Sequence, residues 1–239
     1  MLFKPALNIT EQIADHLGEQ IIVGEIDSGT RIQEVKIAKA LKVSRGSVRE
    51  ALLILERRHL ITIVPRKGAS VNELEIGDGV ELIGLLTSLQ VQLLTQVMKQ
   101  RNRREFLSEA ELAVQGMENA ARLGDMGLAL KHHREFYATL LLGASNYMAG
   151  VFEGLLPSSQ RLLYKIILAT DLDLYDFARF HRALQSALEN LDEERVVELV
   201  EAFGRRALTL LESTFSSAAK SRLTVHRAEA IRTSKAAIH

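Results

Sequence analysis

The chain has 239 residues, long enough for one large or two ordinary domains, and its 47% hydrophobic and 25% charged residues are an ordinary globular composition. It contains no cysteine, which excludes a disulfide framework and any thiolate zinc site and agrees with the reducing cytoplasm in which we expect it to work. Its 30 basic and 30 acidic side chains cancel, so only an uneven distribution of charge would favour nucleic acid. No stretch reads as a signal peptide or as an uninterrupted membrane span, and neither export nor membrane insertion is expected.

Asn8 and Glu11 have capping-box spacing, and Ile9, Ile13, Leu17 and Ile21 repeat behind them with helical period, which predicts a first helix ending near Gly24. The run from Gly24 to Gly29 is turn chemistry, and Val35, Ile37, Ala38 and Leu41 predict a short second helix. A tight Lys42, Val43, Ser44 connection leads into a third. Ser44 is placed to accept an orphan backbone N–H, which sets the start of that helix at Arg45. Val48, Ala51, Leu52 and Leu55 then form a buried stripe, while Arg45 and Arg49 lie four apart on another face. Three helices with a short link before the last make a helix-turn-helix. The N-terminal turns of its final helix reach base edges, and arginine is well shaped to bridge guanine O6 and N7.

Between positions 36 and 67 stand nine basic residues against only Glu50 and Glu56, a local excess that one DNA-facing module would need. Within it, Leu60–Val64 and Ala69–Asn72 are short extended runs around Pro65, Arg66, Lys67 and Gly68, which predicts a β-hairpin with a basic tip. The expected module over 1–72 is therefore a winged helix-turn-helix.

Here the sequence resembles the DNA-binding domain of the GntR family of bacterial transcription regulators. The matching pieces lie between Gly24 and Val71: G-x-I-x-x-G-x-R-I-x-E, I-A-x-x-L-x-V-S-R, V-R-E-A-L-x-x-L and P-R-x-G. The resemblance implies that Arg45 and Arg49 contact an operator, that Ser44, Gly46 and Ser47 lie near its backbone, and that Arg66, Lys67 and Gly68 enter or border the minor groove. The chain departs from the family pattern twice. Gly46-Ser47 stands where Thr-Pro is usual, and Arg58-His59 where Glu-Gly is usual. Loss of a side chain at 46 removes contacts and some helix propensity, so operator preference is expected to differ from that of close relatives.

Residues 73–79 read as a polar, glycine-containing linker. Beyond it the pattern is helical, with six segments: one through Leu82 to Val97, then Phe106–Leu123, Leu128–Leu142, Asn146–Thr170 with a kink or break at Pro157, Leu174–Asn190, and Asp192 to about Ser217. Short links between them predict an antiparallel all-α bundle over 80–219, so the fold class is mostly α. The basic tail, 220–239, is expected to be frayed or disordered.

Phe136-Tyr137, the Gly143–Asn146 turn and the segment from His181 resemble the FCD-type ligand-binding domain of the FadR-like branch of the same family. Many members of that branch hold a divalent metal with one carboxylate and three histidines. The resemblance maps those four positions onto His133, Tyr137, His181 and Phe203, of which only His181 keeps the family's residue. The arginine and glutamate that many members carry on the domain's first helix fall at Leu86 and Gln90. The expectation is a site without metal or other cofactor, suited to a largely apolar effector, since an unpaired buried carboxylate is costly. The sequence reading is then a homodimeric, effector-responsive regulator of a palindromic operator. Two alternatives remain: a dimerising or architectural DNA-binding protein without an effector, and an all-helical enzyme with an accessory DNA domain. Against the enzyme, no P-loop, dinucleotide glycine pattern or HExxH is present.

Overall fold

The computed structural model describes residues 8–170 and 172–236, with side chains through Thr214. An N-terminal unit carries α1 (Ile9–Ile22), β1 (Arg31–Ile32), α2 (Glu34–Leu41), α3 (Arg45–Arg57), β2 (Ile61–Val64) and β3 (Gly68–Val71). The Asn8–Glu11 capping box that opens α1 is complete in both directions. Ile13, Leu17 and Ile21 of α1 pack with Val48, Leu52 and Leu55 of α3, with Leu60 just before the sheet and with Ile61 and Val71 of the sheet in one core. β2 and β3 pair antiparallel with Ile63 opposite Ala69, and β1 joins the far side of β3 with Arg31 opposite Ser70. The hairpin follows from the sequence pattern, whereas this third strand does not, because its two residues are too few to show alternation.

A Schellman closure ends α3: His59 N donates to Glu56 O at 2.9 Å and Leu60 N to Leu55 O at 3.0 Å. It places His59 at φ 55°, a left-handed conformation that glycine adopts freely. The departure of Arg58-His59 from the family pattern thus falls where the missing glycine has a conformational use.

Six helices follow: α4 (Ile76–Met98), α5 (Arg103–Leu123), α6 (Met126–Leu141), α7 (Asn146–Ala169), α8 (Leu174–Glu189) and α9 (Glu193–Ala236). α4 begins inside the expected linker of 73–79, leaving only a short connection before Glu75. The glycines that made this stretch look like a linker have another use at Gly79, where a Cβ would meet Leu211 Cδ2 at 2.8 Å; the residue lets α4 approach α9. Pro157 does not break its segment, because α7 runs through it to Ala169. α9 is helical across 220–236, while its side chains beyond Thr214 and the last three residues of the expected frayed tail lie outside the described residues. α4 is long and apolar enough to cross a membrane by length and composition. In this fold it packs against α9, α7 and α6.

Candidate nucleic-acid interface and buried cavity

Ser44 caps α3 by accepting from Ser47 N at 3.0 Å, and its hydroxyl lies 2.8 Å from that of Ser47. Because Val48, Ala51, Leu52 and Leu55 point into the core, Arg45, Gly46 and Arg49 are left exposed at the helix start. A Cβ on Gly46 would meet nothing closer than Ser44 Oγ at 3.6 Å, so its glycine is not required by packing. Arg49 Nε lies 3.8 Å from a half-buried Glu34, a long contact with an exposed arginine that is worth little in water. At the wing, Arg66, Lys67 and Gly68 are exposed, with Arg66 at φ 66° and Gly68 at φ 89°. β1 sets the Arg31 guanidinium within 3.6 Å of where a Gly68 Cβ would be, adding a cation to the wing that the sequence reading assigned no role.

The two acids of the basic segment are engaged inside the module. Glu50 accepts from Thr10 Oγ1 at 3.2 Å and Glu56 from Ile63 N at 2.9 Å. Arg58 pairs with Asp15 at 2.7 Å, and its backbone carbonyl meets the helical bundle. Arg58 therefore belongs to the junction between the two units and not to the exposed cationic face.

In the bundle, a cavity of about 80 Å³ is lined by Leu86, Gln90, His133 and Phe203 together with Thr87, Ser159, Leu162 and Ile166. Tyr137 and His181 lie behind His133, with ring centroids 5.0 and 5.1 Å from it and 6.2 Å from each other. The fold thus gathers His133, Tyr137 and His181 into one cluster, while Phe203 stacks on Phe180 at 4.2 Å farther along the cavity. Burial lowers the pKa of both imidazoles. His133 falls well below its ordinary value, with the charges of His181 and Arg134 acting in the same direction, and His181 falls to about 4 against a small opposing effect of Phe177 O. Both rings are neutral at pH 7. Burial raises the Tyr137 phenol, partly offset by neighbouring Gln90.

These donors do not fit a divalent metal. Phe203 offers no lone pair, Tyr137 stays protonated, and His133 Nδ1 is taken by Gln160 Nε2 at 3.1 Å. Among the described residues no three His, Cys, Asp or Glu side chains converge on a point.

The residues missed by sequence reasoning lie mostly on α7. Ser158, Gln160 and Arg161 are buried polar side chains in an otherwise apolar helix. Gln160 binds His133 and Leu130 O on one side, and its Oε1 lies 3.4 Å from Arg134 Nη1. Arg134 Nη2 in turn reaches Glu19 of α1 at 2.7 Å, so hydrogen bonds run without a gap from the cavity wall into the N-terminal unit. Ser158 donates to Arg58 O at 2.7 Å, Arg161 Nη2 to Ser28 Oγ at 2.9 Å and Lys165 Nζ to Ser28 Oγ at 3.4 Å. The signal that could have found them is the unbroken polar run from Ser158 to Arg161. Four consecutive polar residues go right round a helix, and their burial requires that it be covered on both sides.

The profile described as "Bacterial regulatory proteins, gntR family" matches residues 9–71, and that of the FCD domain matches 81–206. The HTH-type transcriptional regulator YdhC of Bacillus subtilis is 30% identical over 113 residues, 47% of this chain and only half of that protein's length. A protein named as a D-xylose utilization operon transcriptional repressor, from Paenarthrobacter nicotinovorans, is 24% identical over 187 residues, covering 78% of this chain and 81% of its own. Among solved structures, E. coli McbR/YncC superposes with a TM-score of 0.72 at 18% identity, covering 88% of this chain and all of that one. A GntR transcriptional regulator of Rhodococcus sp. RHA1 gives 0.68 at 20% identity, covering 85% of this chain and 97% of its own, and shares the fold.

Proposed function

From a chain that belongs to the GntR family of bacterial regulatory proteins, a transcriptional regulator with an FCD domain, we propose a finer reading: it binds a palindromic operator as a homodimer, and a largely apolar small molecule in the bundle cavity sets its operator affinity. In this reading residues 1–72 bind DNA, residues 80–219 bind effector and dimerise, no metal or other cofactor takes part, no reaction is catalysed, and the protein works in the cytoplasm. The proposed DNA contacts are Ser44, Arg45, Gly46, Ser47, Arg49, Arg66, Lys67 and Gly68. The proposed effector contacts are Leu86, Gln90, His133, Tyr137, His181 and Phe203.

One observation carries the effector reading. α7 lines the cavity with Ser159, Leu162 and Ile166 while Ser158, Arg161 and Lys165 of the same helix hold the N-terminal unit. A ligand that displaces α7 therefore changes the seating of the DNA-binding unit, which is the differential contact that ligand control requires. Dimerisation is supported by α4, which leaves Ile76, Val80 and Leu85 exposed beside Gly77 and Gly84, positions where a Cβ would meet nothing within 4 Å. Gly77, Val80 and Gly84 share one face at helical spacing, and the two positions without side chains on it suit close approach by a copy of the helix. Gly84→Arg is expected to yield monomers in sedimentation.

The test of the effector reading is a thermal-shift screen of small molecules with and without chelator, each hit then added to an operator-binding titration. A hit should raise Tm and change operator affinity, and chelation should alter neither. One equivalent of zinc or nickel per chain, lost with the effector response on chelation, would overturn the metal-free reading. A screen without hits would favour the adaptor alternative.

A further inference from the structure

We propose that Arg161 and Lys165 of α7, together with Ser28 of the turn between α1 and β1, form a binding site for a doubly charged oxyanion of the phosphate type at the junction between the two units. None of the three lines the bundle cavity, and the site does not rest on the effector reading above.

On α7, Ser158, Arg161 and Lys165 follow one another at i, i+3 and i+7, which sets them on the face turned to the N-terminal unit. Arg161 is only 2% exposed, and its Nε is buried without a partner. Its Nη2 donates to Ser28 Oγ at 2.9 Å, and Lys165 Nζ reaches the same oxygen at 3.4 Å. Other arginines that join elements of this fold meet a carboxylate: Arg58 meets Asp15 and Arg134 meets Glu19, each at 2.7 Å, and Arg182 meets Glu111 and Glu118. Among the described residues Arg161 and Lys165 form no ion pair, and their side-chain hydrogen bonds end on one neutral oxygen. A guanidinium keeps its charge when buried, and a buried charge without a counter-ion is costly. Both groups register that cost. Burial lowers the Arg161 pKa, and burial followed by the Arg161 charge lowers that of Lys165, with Asp27 opposing but forming no ion pair.

What the pair lacks is negative charge, and the shared serine oxygen marks where it would sit. Ser28 and Lys165 are both exposed, so rotation of one serine side chain opens that place to solvent. The lone pairs of Ser28 Oγ face two donors, which leaves its own proton free, and the displaced hydroxyl becomes a third donor to the anion that enters. Two cations favour a dianion, since a single carboxylate or chloride would leave one of them unneutralised. A tetrahedral oxyanion also presents separate oxygens to the guanidinium, the ammonium and the hydroxyl, whereas chloride presents one point. The three donors come from both units, so a bound dianion bridges α7 and the α1–β1 turn and strengthens the joint between them.

The test uses the full chain at pH 7.5 without DNA, with thermal unfolding as the readout and sodium phosphate, sodium acetate and sodium chloride as probes at equal ionic strength. Phosphate should raise Tm saturably, by roughly 3–5 °C at ten times its Kd, while acetate and chloride should not. Lys165→Gln removes an exposed cation and should weaken phosphate by about tenfold or more. Ser28→Asp sets a carboxylate against the two cations from within the chain. Its Tm should exceed that of the wild type in the absence of phosphate, and added phosphate should raise it little further. Ser28→Asn, of the same shape without the charge, should not gain stability. A phosphate response no larger than that to acetate or chloride overturns the proposal. So does a response unchanged in either Lys165→Gln or Ser28→Asp, which would place the anion elsewhere, on the cationic DNA-binding face. A Tm for Ser28→Asp no higher than that of Ser28→Asn overturns it as well, because the two cations would then not be in need of a counter-ion.

Discussion

Arg45 and Arg49 stand on the face of α3 away from its core stripe, so truncating either removes a guanidinium and no packing. Arg45→Ala and Arg49→Ala are each expected to abolish specific operator binding with Tm unchanged, since a bidentate base contact is worth roughly 1–3 kcal/mol of discrimination. Wild-type affinity in gel-shift titrations of both variants would refute the recognition-helix assignment. Lys67→Ala should instead weaken binding to every sequence and lower the salt slope by about one unit. His59, held at φ 55°, is strained where glycine would not be, and His59→Gly should stabilise the fold by about 1 kcal/mol in urea titrations. Residues whose structural role is local could be read from the chain: Asn8, Glu11 and Ser44 act on backbone groups three positions away. Gln160 could not be, because its role depends on Leu130, His133 and Arg134, about 30 residues distant in sequence and adjacent only after folding.

Between elements, the consequence of burying two imidazoles is a pH-dependent bundle. His181 takes up a proton in the unfolded chain below about 6.5 but in the native state only near 4. Its neutral burial is therefore tolerated fully above pH 6.5, and stability is lost as pH falls from there towards 4, by roughly 3 kcal/mol, with His133 acting in the same direction. Urea midpoints between pH 7.5 and 4.5 should show this decline, and His181→Gln should flatten it. α4 and α9 meet at Gly204, where a Cβ would lie 2.4 Å from Thr87 Oγ1, itself bonded to Ile83 O at 2.8 Å. Gly204→Ala is expected to cost about 1–3 kcal/mol, read as a lower urea midpoint. The helices were legible from their apolar period, but the start of α4 was not. Gly77 and Gly79 look like a linker until α9 is present to need the space that Gly79 provides.

In the whole molecule, the path from His133 through Gln160 and Arg134 to Glu19 supplies a test of communication that leaves both sites intact. Glu19→Gln keeps the cavity and the recognition helix unchanged and weakens one largely exposed ion pair, so its effect on stability should be within about 1 kcal/mol. Operator affinity should stay near wild type, while the change in that affinity on adding a cavity ligand shrinks by roughly 0.5–2 kcal/mol. An undiminished ligand effect would show that α7 transmits without Arg134. The two-unit architecture was legible because each unit has its own periodicity. The junction was not, because it is made of single polar contacts that carry no period. The contacts to the end of α3 have a further property: Ser158 grips the carbonyl of Arg58, and Gly154 lies close to that of Arg57, where a Cβ would be 3.4 Å away. Both are backbone groups, present whatever side chains the helix carries. The recognition surface is thereby free to drift in evolution, or to be exchanged by design for another operator preference, without renegotiating how the DNA-binding unit is docked.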